Sequence, residues 1–167
     1  MTQPRRIRAA ALVMAALGAV ATGAAPSVAS APGAAPAGCT GPASGTWLNV
    51  VVDGVRNGSG VIAITLYADD SKKFLVKRGS LYVGRVEATA GTTRGCIFLP
   101  KPGVYAVALY HDENRDMRFD RSGLGLPAEG FGFSNNPSIF FSAPSFKRVR
   151  FAVSGPGVAI RIKMKYP

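Results

Sequence analysis

The sequence has little of what most catalytic and metal sites are made from: one histidine, two cysteines and nine acidic residues. The cysteines come with no Cys-x-x-Cys pair and no Cys/His spacing, so a zinc site is not expected. A His-Glu-x-x-His element, a glycine-rich phosphate loop and a Gly-x-Ser-x-Gly element around Ser134 are also missing. These absences disfavour an enzyme, although a triad assembled from distant positions stays open.

A long hydrophobic run is missing as well. The longest strictly apolar stretch, residues 9–20, is shorter than the roughly 20 residues that a transmembrane helix needs. Because it follows three arginines and precedes small residues, it has the order of a secretory signal peptide. We therefore predict a signal peptide and flexible lead-in over residues 1–37 and one domain over residues 38–167. The expected location is periplasmic or secreted, with no transmembrane anchor after cleavage.

Acidic side chains are scarce relative to basic ones. The formal net charge is +11, and removing the three signal arginines leaves +8 for the mature chain. Since a strongly basic protein attracts anionic partners, an anionic component of the cell envelope is the expected partner. Nucleic acid is not expected as a partner.

Cys39 and Cys96 both follow the predicted signal peptide. In an oxidising compartment an even pair of cysteines most simply forms a disulfide, so we predict a bond between them. Two free thiols or lipidation of Cys39 are the alternatives.

Alternating apolar and polar residues, separated by Gly, Pro, Asn and Asp turns, predict about seven strands and no amphipathic helix. The predicted strands are residues 47–52, 61–67, 81–87, 93–99, 104–111, 147–153 and 158–165. Residues 71–79 fit either a helical turn or an edge crossing. This pattern predicts an all-β fold, a single antiparallel Greek-key β-sandwich of the immunoglobulin or prealbumin-like kind.

A Pro-Gly turn at Pro102-Gly103 leads into Tyr105 at the start of a predicted strand. This arrangement is similar to the tyrosine corner of Greek-key sandwiches, in which the tyrosine hydroxyl bonds to backbone upstream. Tyr105 is therefore predicted to have a structural role.

Two stretches carry a family resemblance. Residues 103–114 end in His-Asp-Glu-Asn, and residues 127–136 contain Pro-Ala-Glu-Gly followed by Ser-Asn-Asn. Over residues 47–166 the chain resembles the bacterial domain of unknown function 2141 family. The resemblance implies an exported envelope protein with a sandwich fold and no established activity. This chain has Asp116-Met117 where the family commonly has Asn-Gly, which removes a turn glycine and adds a carboxylate.

Positions 1, 3, 5 and 9 of a calcium-loop spacing are occupied by Asp112, Asn114, Asp116 and Asp120. Calcium takes six to eight oxygen ligands, and the Arg118 carbonyl and Glu129 are further candidates. Position 6 is Met117 instead of glycine and position 12 is Gly123 instead of glutamate, so the loop is not an EF-hand. Two interpretations remain, a weak calcium site and a solvated turn.

His111 shares its predicted strand face with Tyr105 and Leu109, which favours a buried, hydrogen-bonded histidine. The sequence therefore predicts a binding or structural module of the cell envelope, stabilised by calcium in one interpretation. The alternative is a small periplasmic hydrolase that uses His111 with carboxylates such as Asp112 and Glu129. The hydrolase requires a solvent-accessible His111 with an acid in hydrogen-bond reach, whereas a binding module buries it.

The last two predicted strands are joined by residues 154–157 and read as a hairpin. In that register Phe151 lies opposite Ile160 on the core face. The other face of the hairpin would form a basic ribbon of Arg148, Arg150, Arg161, Lys163 and Lys165, which we expect to bind an anionic surface such as phospholipid or lipopolysaccharide head groups.

Overall fold

The structure, a computed structural model, describes residues 34–139 and 142–167. The signal peptide prediction falls mostly on residues 1–33, which lie outside the described residues. In chain order, the elements are β1 (Thr46–Val55), β2 (Val61–Ala68), β3 (Tyr82–Glu87), β4 (Gly91–Leu99), β5 (Gly103–Asp112), β6 (Phe131–Phe133), α1 (Phe146–Val149), β7 (Phe151–Val153) and β8 (Val158–Lys163). No helix in the described chain is long and apolar enough to cross a membrane.

These strands form two sheets. The three-stranded sheet has the order β4-β1-β8, and the five-stranded sheet has the order β3-β2-β5, with β6 and β7 both pairing with β5. Strand pairs are antiparallel except β1 and β8, which run parallel. The predicted all-β sandwich is confirmed, with one parallel pair that the sequence did not predict.

The core lies between the sheets because every second residue of a strand points inward. Fully buried side chains come from both sheets and include Leu48, Val50, Val52, Ile62, Ile64, Leu66, Ile97, Val107 and Ile162. The same alternation sends the intervening residues of β2 and β5 to the outer face of the five-stranded sheet, where the candidate site lies.

The tyrosine corner is confirmed. Tyr105 is buried, and its hydroxyl donates a hydrogen bond of 2.7 Å to the carbonyl of Lys101. This bond fixes the turn that carries the chain from β4 in one sheet to β5 in the other.

The disulfide between Cys39 and Cys96 is also present, with 4.4 Å between the two Cα atoms. Beside it, the backbone N–H of Thr40 donates to the Cys96 carbonyl and the Phe98 N–H donates to the Thr40 carbonyl, both at 2.9 Å. The segment before β1 is thereby fixed along the outer edge of β4.

The predicted C-terminal hairpin is wrong. β7 pairs with β5, whereas β8 pairs with β1, so the two strands belong to different sheets. Residues 154–157 carry the chain across the sandwich, and residues 146–149 form one helical turn instead of the start of a strand. A Ser-Gly-Pro-Gly turn is compatible with a hairpin and with a crossing to the other sheet. The chain crosses because the free edge of β1 gives β8 a partner.

The basic residues of that hairpin therefore form no cross-strand ribbon. Arg148 and Arg150 lie at the end of α1, whereas Arg161 and Lys163 lie on β8. Arg161 pairs with Asp53 at 2.6 Å and Arg150 with Asp69 at 3.7 Å. The binding of an anionic surface by Arg148, Arg150, Arg161, Lys163 and Lys165 loses its register argument and stays a prediction.

We expect Tyr105→Phe to lower the free energy of unfolding by about 1 kcal/mol, because the Lys101 carbonyl loses its partner at the corner. Urea denaturation of the two proteins measures the difference. An unchanged midpoint would show that the corner bond contributes nothing.

We expect the double variant Cys39→Ser/Cys96→Ser to lose about 4 kcal/mol of stability, because the disulfide closes a loop with a sequence separation of 57 residues. Guanidinium denaturation without reductant gives the difference. Mass spectrometry of the unreduced, alkylated wild type is the check on pairing: two alkylated thiols would contradict the bond.

Candidate functional site

The outer face of the five-stranded sheet has an aromatic floor. Thr65 of β2 lies opposite Ala108 of β5, which in turn lies opposite Phe133 of β6. In the next row Tyr110 lies opposite Phe131. Small side chains at the centre and rings at one side leave a concave surface.

One end of this face is covered by a second, smaller core. Phe74, from the connection between β2 and β3, packs its ring 5.1 Å from that of Tyr67, 5.7 Å from that of Phe146 and 6.3 Å from that of Phe133. Val149 is fully buried in the same cluster. Phe133 and Phe146, from the long connection after β5, thus belong to this smaller core, whereas Phe140 and Phe141 lie outside the described residues.

In the middle of the face, the described residues line a groove of about 920 Å³. One wall is the connection between β2 and β3, through Leu75, Val76 and Lys77, and the connection between β5 and β6 supplies Phe119 and Leu126. Three cationic side chains also line it, those of Lys77, Arg121 and Lys165, whereas no acidic residue of the described chain does. The groove is therefore apolar at its floor and basic at its rim.

The acidic loop begins at the end of β5. Asp112 is fully buried, and its two carboxylate oxygens accept the backbone N–H groups of Asp116 at 3.1 Å and Met117 at 3.0 Å. The Asn114 side-chain amide donates to the Asp120 carboxylate at 3.2 Å. These bonds fold the loop back onto the end of β5.

Glu129 completes this acidic cluster. Its carboxylate accepts the backbone N–H of Asp120 at 3.1 Å, and the side chain is buried. Burial raises the pKa of Glu129, and the nearby charges of Asp120, Asp112 and Asp116 raise it further. In the described residues no three acidic, His or Cys side chains stand close enough to form a ready metal site. Calcium binding stays a prediction and would require the loop to tighten around the ion.

His111 lies on the other side of β5, in the core between the sheets. It is fully buried, with Nδ1 2.7 Å from the Tyr166 hydroxyl and Nε2 2.7 Å from the Ser59 carbonyl. Because a carbonyl only accepts, Nε2 carries the proton and Nδ1 accepts from Tyr166. Glu113 lies 3.4 Å from Nδ1 and is held by Arg56 at 2.6 Å, which lowers the pKa of Glu113.

The structure does not assemble the hydrolase site. Consecutive residues of a strand point to opposite faces, so His111 and Asp112 are separated by the sheet itself. Both nitrogens of His111 are occupied by structural hydrogen bonds, and no solvent reaches the ring. Asp112 and Glu129 do come together, but on the outer face and without the histidine.

The profile of one protein family, described as an uncharacterized protein conserved in bacteria (DUF2141), matches residues 50–161. The chain belongs to this family. Comparison with curated proteins and with solved structures gives no significant match. The predicted resemblance is therefore confirmed, and it assigns no activity.

The Ser-Asn-Asn stretch that carries the DUF2141 resemblance has a structural role here. Asn135 donates to the carbonyls of Arg148 and Arg150, at 3.3 and 2.9 Å. Asn136 donates to the Arg161 carbonyl at 3.0 Å and accepts the Lys163 N–H at 2.7 Å. The two asparagines have φ values of 63° and 48°, a left-handed conformation that asparagine tolerates well. They tie α1 and β8 to the same turn.

The departure from the DUF2141 pattern at Asp116-Met117 also has a structural meaning. Met117 adopts φ 65°, the left-handed conformation that a glycine at this place takes without strain. Asp116 accepts the backbone N–H of Arg118 at 2.9 Å, so the additional carboxylate stabilises the turn. Compared with Asn-Gly, the loop carries one more negative charge.

Sequence reasoning missed the groove and the residues that line it. Tyr110, Phe119 and Arg121 come together only through strand pairing and loop packing. Leu75 and Val76 gave a local signal, since with Phe74 they form a run of three apolar residues among four basic ones in residues 71–79.

We expect millimolar calcium to raise the melting temperature of the wild type, because the ion would reduce the repulsion between the negatively charged carboxylates of the loop. Asp116→Ala should abolish the shift, and Asp70→Ala, outside the loop, should keep it. The absence of any shift in the wild type would leave only the solvated turn.

Glu129→Gln gives an independent check on the same loop. The raised pKa shows that the folded state disfavours the ionised carboxylate, so the glutamine variant should be at least as stable as the wild type in EDTA at neutral pH. In calcium the order should reverse, because the variant loses a ligand charge. A variant that gains as much from calcium as the wild type would remove Glu129 from the site.

Proposed function

We propose that this protein is an exported, non-enzymatic binding module of the cell envelope and that it holds an anionic amphiphile in the groove of the five-stranded sheet. The single observation behind the proposal is the groove itself, with its aromatic floor and its rim of three cationic side chains. Ligand sites are typically concave and apolar with a few placed polar groups, and a volume of about 920 Å³ suits a molecule the size of a fatty acid or a sterol-like acid.

The charge of the ligand follows from the rim. Lys77, Arg121 and Lys165 line the groove without an acidic neighbour among the described lining residues. A carboxylate or phosphate head group would satisfy these donors, whereas a cationic ligand would be repelled.

Calcium has a place in this proposal through the loop that follows β5. The acidic cluster of Asp112, Asn114, Asp116 and Asp120 is continuous in sequence with Phe119 and Arg121, which line the groove. We propose that calcium bound there holds this wall in place. The ion would act as a structural support and would not contact the ligand.

A fluorescent long-chain fatty acid and its methyl ester form the matched probe pair for this proposal. We expect the wild type to bind the acid, and Ala108→Phe to weaken binding at least tenfold because the new ring fills the centre of the floor. Ala159→Phe adds the same ring on the exposed face of β8 and should leave binding unchanged. If the wild type binds neither probe, the proposal is wrong.

A further inference from the structure

The connection between β2 and β3 exposes apolar side chains at its tip. Leu75 is 41 % exposed and Val76 is 50 % exposed, although both are large aliphatic residues that usually pack inside. Leu126, on the other connection that lines the groove, is 61 % exposed. Apolar side chains thus stand at the groove mouth on both connections.

This tip is held in a fixed position. The residue before it, Phe74, is buried against the rings of Tyr67, Phe133 and Phe146 and so anchors the connection. Leu75 itself has φ 57°, a left-handed conformation that leucine rarely adopts. Strained residues held by their surroundings concentrate at functional sites, and here the strained residue carries an exposed apolar side chain.

Basic side chains surround the tip. Lys72, Lys77 and Arg78 are exposed and have no ion-pair partner among the described residues. The neighbouring acids are already paired, Asp70 with Lys73 at 3.9 Å and Asp69 with Arg150 at 3.7 Å. The tip therefore presents a positive field around an apolar centre.

We propose that the tip of the β2–β3 connection docks onto an anionic phospholipid bilayer, with Leu75 and Val76 entering the interface and Lys72, Lys77 and Arg78 binding head groups. Charge complementarity commits the surface to this occupant, because apolar area and basic charge together are the two signals that reversible membrane binding needs. Leu75, Val76 and Lys77 also line the groove, but the docking requires no ligand in it. Lys72 and Arg78 do not line the groove. Docking brings the mouth of the groove to the lipid surface.

Vesicle co-sedimentation tests the docking, with vesicles of phosphatidylglycerol and phosphatidylcholine against vesicles of phosphatidylcholine alone. The protein is residues 34–167, which contain both sheets and the disulfide but not the apolar run of residues 9–20. We expect wild-type binding to the anionic vesicles that weakens as salt is raised. Lys72→Ser/Lys77→Ser/Arg78→Ser should reduce the partition constant on the order of 100-fold, at roughly fivefold for each charge.

Leu75→Asn/Val76→Ser tests the apolar part separately, and asparagine suits the left-handed backbone of Leu75. This variant should bind about tenfold more weakly, with the loss persisting at high salt. The charge-matched control Arg94→Ser/Lys101→Ser/Lys147→Ser removes three exposed basic residues elsewhere and should bind like the wild type.

Three outcomes would overturn the proposal. If the wild type binds both vesicle types equally, anionic lipid is not what the tip recognises. If the charge-matched control loses as much binding as the tip variant, the effect reflects the net charge of the protein and not the tip. The third outcome is a wild type that does not bind vesicles but self-associates. If Leu75→Asn/Val76→Ser abolishes this association, the surface binds a second copy of the chain.

Discussion

The elements on the outer face of the five-stranded sheet depend on the hydrogen bonds of one buried hydroxyl, that of Ser134. It accepts the Val107 N–H at 3.0 Å and donates to the Val149 carbonyl at 2.6 Å, so a single side chain joins β5 to α1. Asn135 adds two bonds to the end of α1, and Asn136 extends the connection to β8 in the other sheet. Together with the pairing of β6 and β5, this junction holds the end of the long connection and the groove floor at Phe133 against the sandwich.

One face of one sheet thus combines two kinds of chemistry. Toward one end of β5, the outer face ends in buried carboxylates around Asp112 and Glu129. Toward the middle it becomes an apolar groove with a basic rim. The connection after β5 contributes to both, since Asp116 belongs to the cluster and Phe119 to the groove wall. An ion bound at the cluster would therefore influence the groove through the backbone between them, without any contact with its contents.

Local patterns predicted the features that depend on local physics. The alternation of apolar residues located the long strands, the Pro-Gly-x-Tyr order predicted the bond between Tyr105 and Lys101, and the two cysteines predicted their own pairing. What failed depends on distant partners. β8 has the same alternation whether it pairs with β7 or with β1, so no local signal shows that it crosses the sandwich. Burial of His111 was expected, yet its bonds to Ser59 and Tyr166 join residues more than 50 positions away along the chain.

The parallel pairing of β1 with β8 has a consequence for the order of assembly. The first strand of the domain lies between β4 and the last strand, so the three-stranded sheet cannot be completed until the C-terminal residues are present. The final segment also bridges the sheets, since Lys165 pairs with Phe131. In a chain synthesised from its N-terminus, this edge of β1 has no partner until β8 has been made.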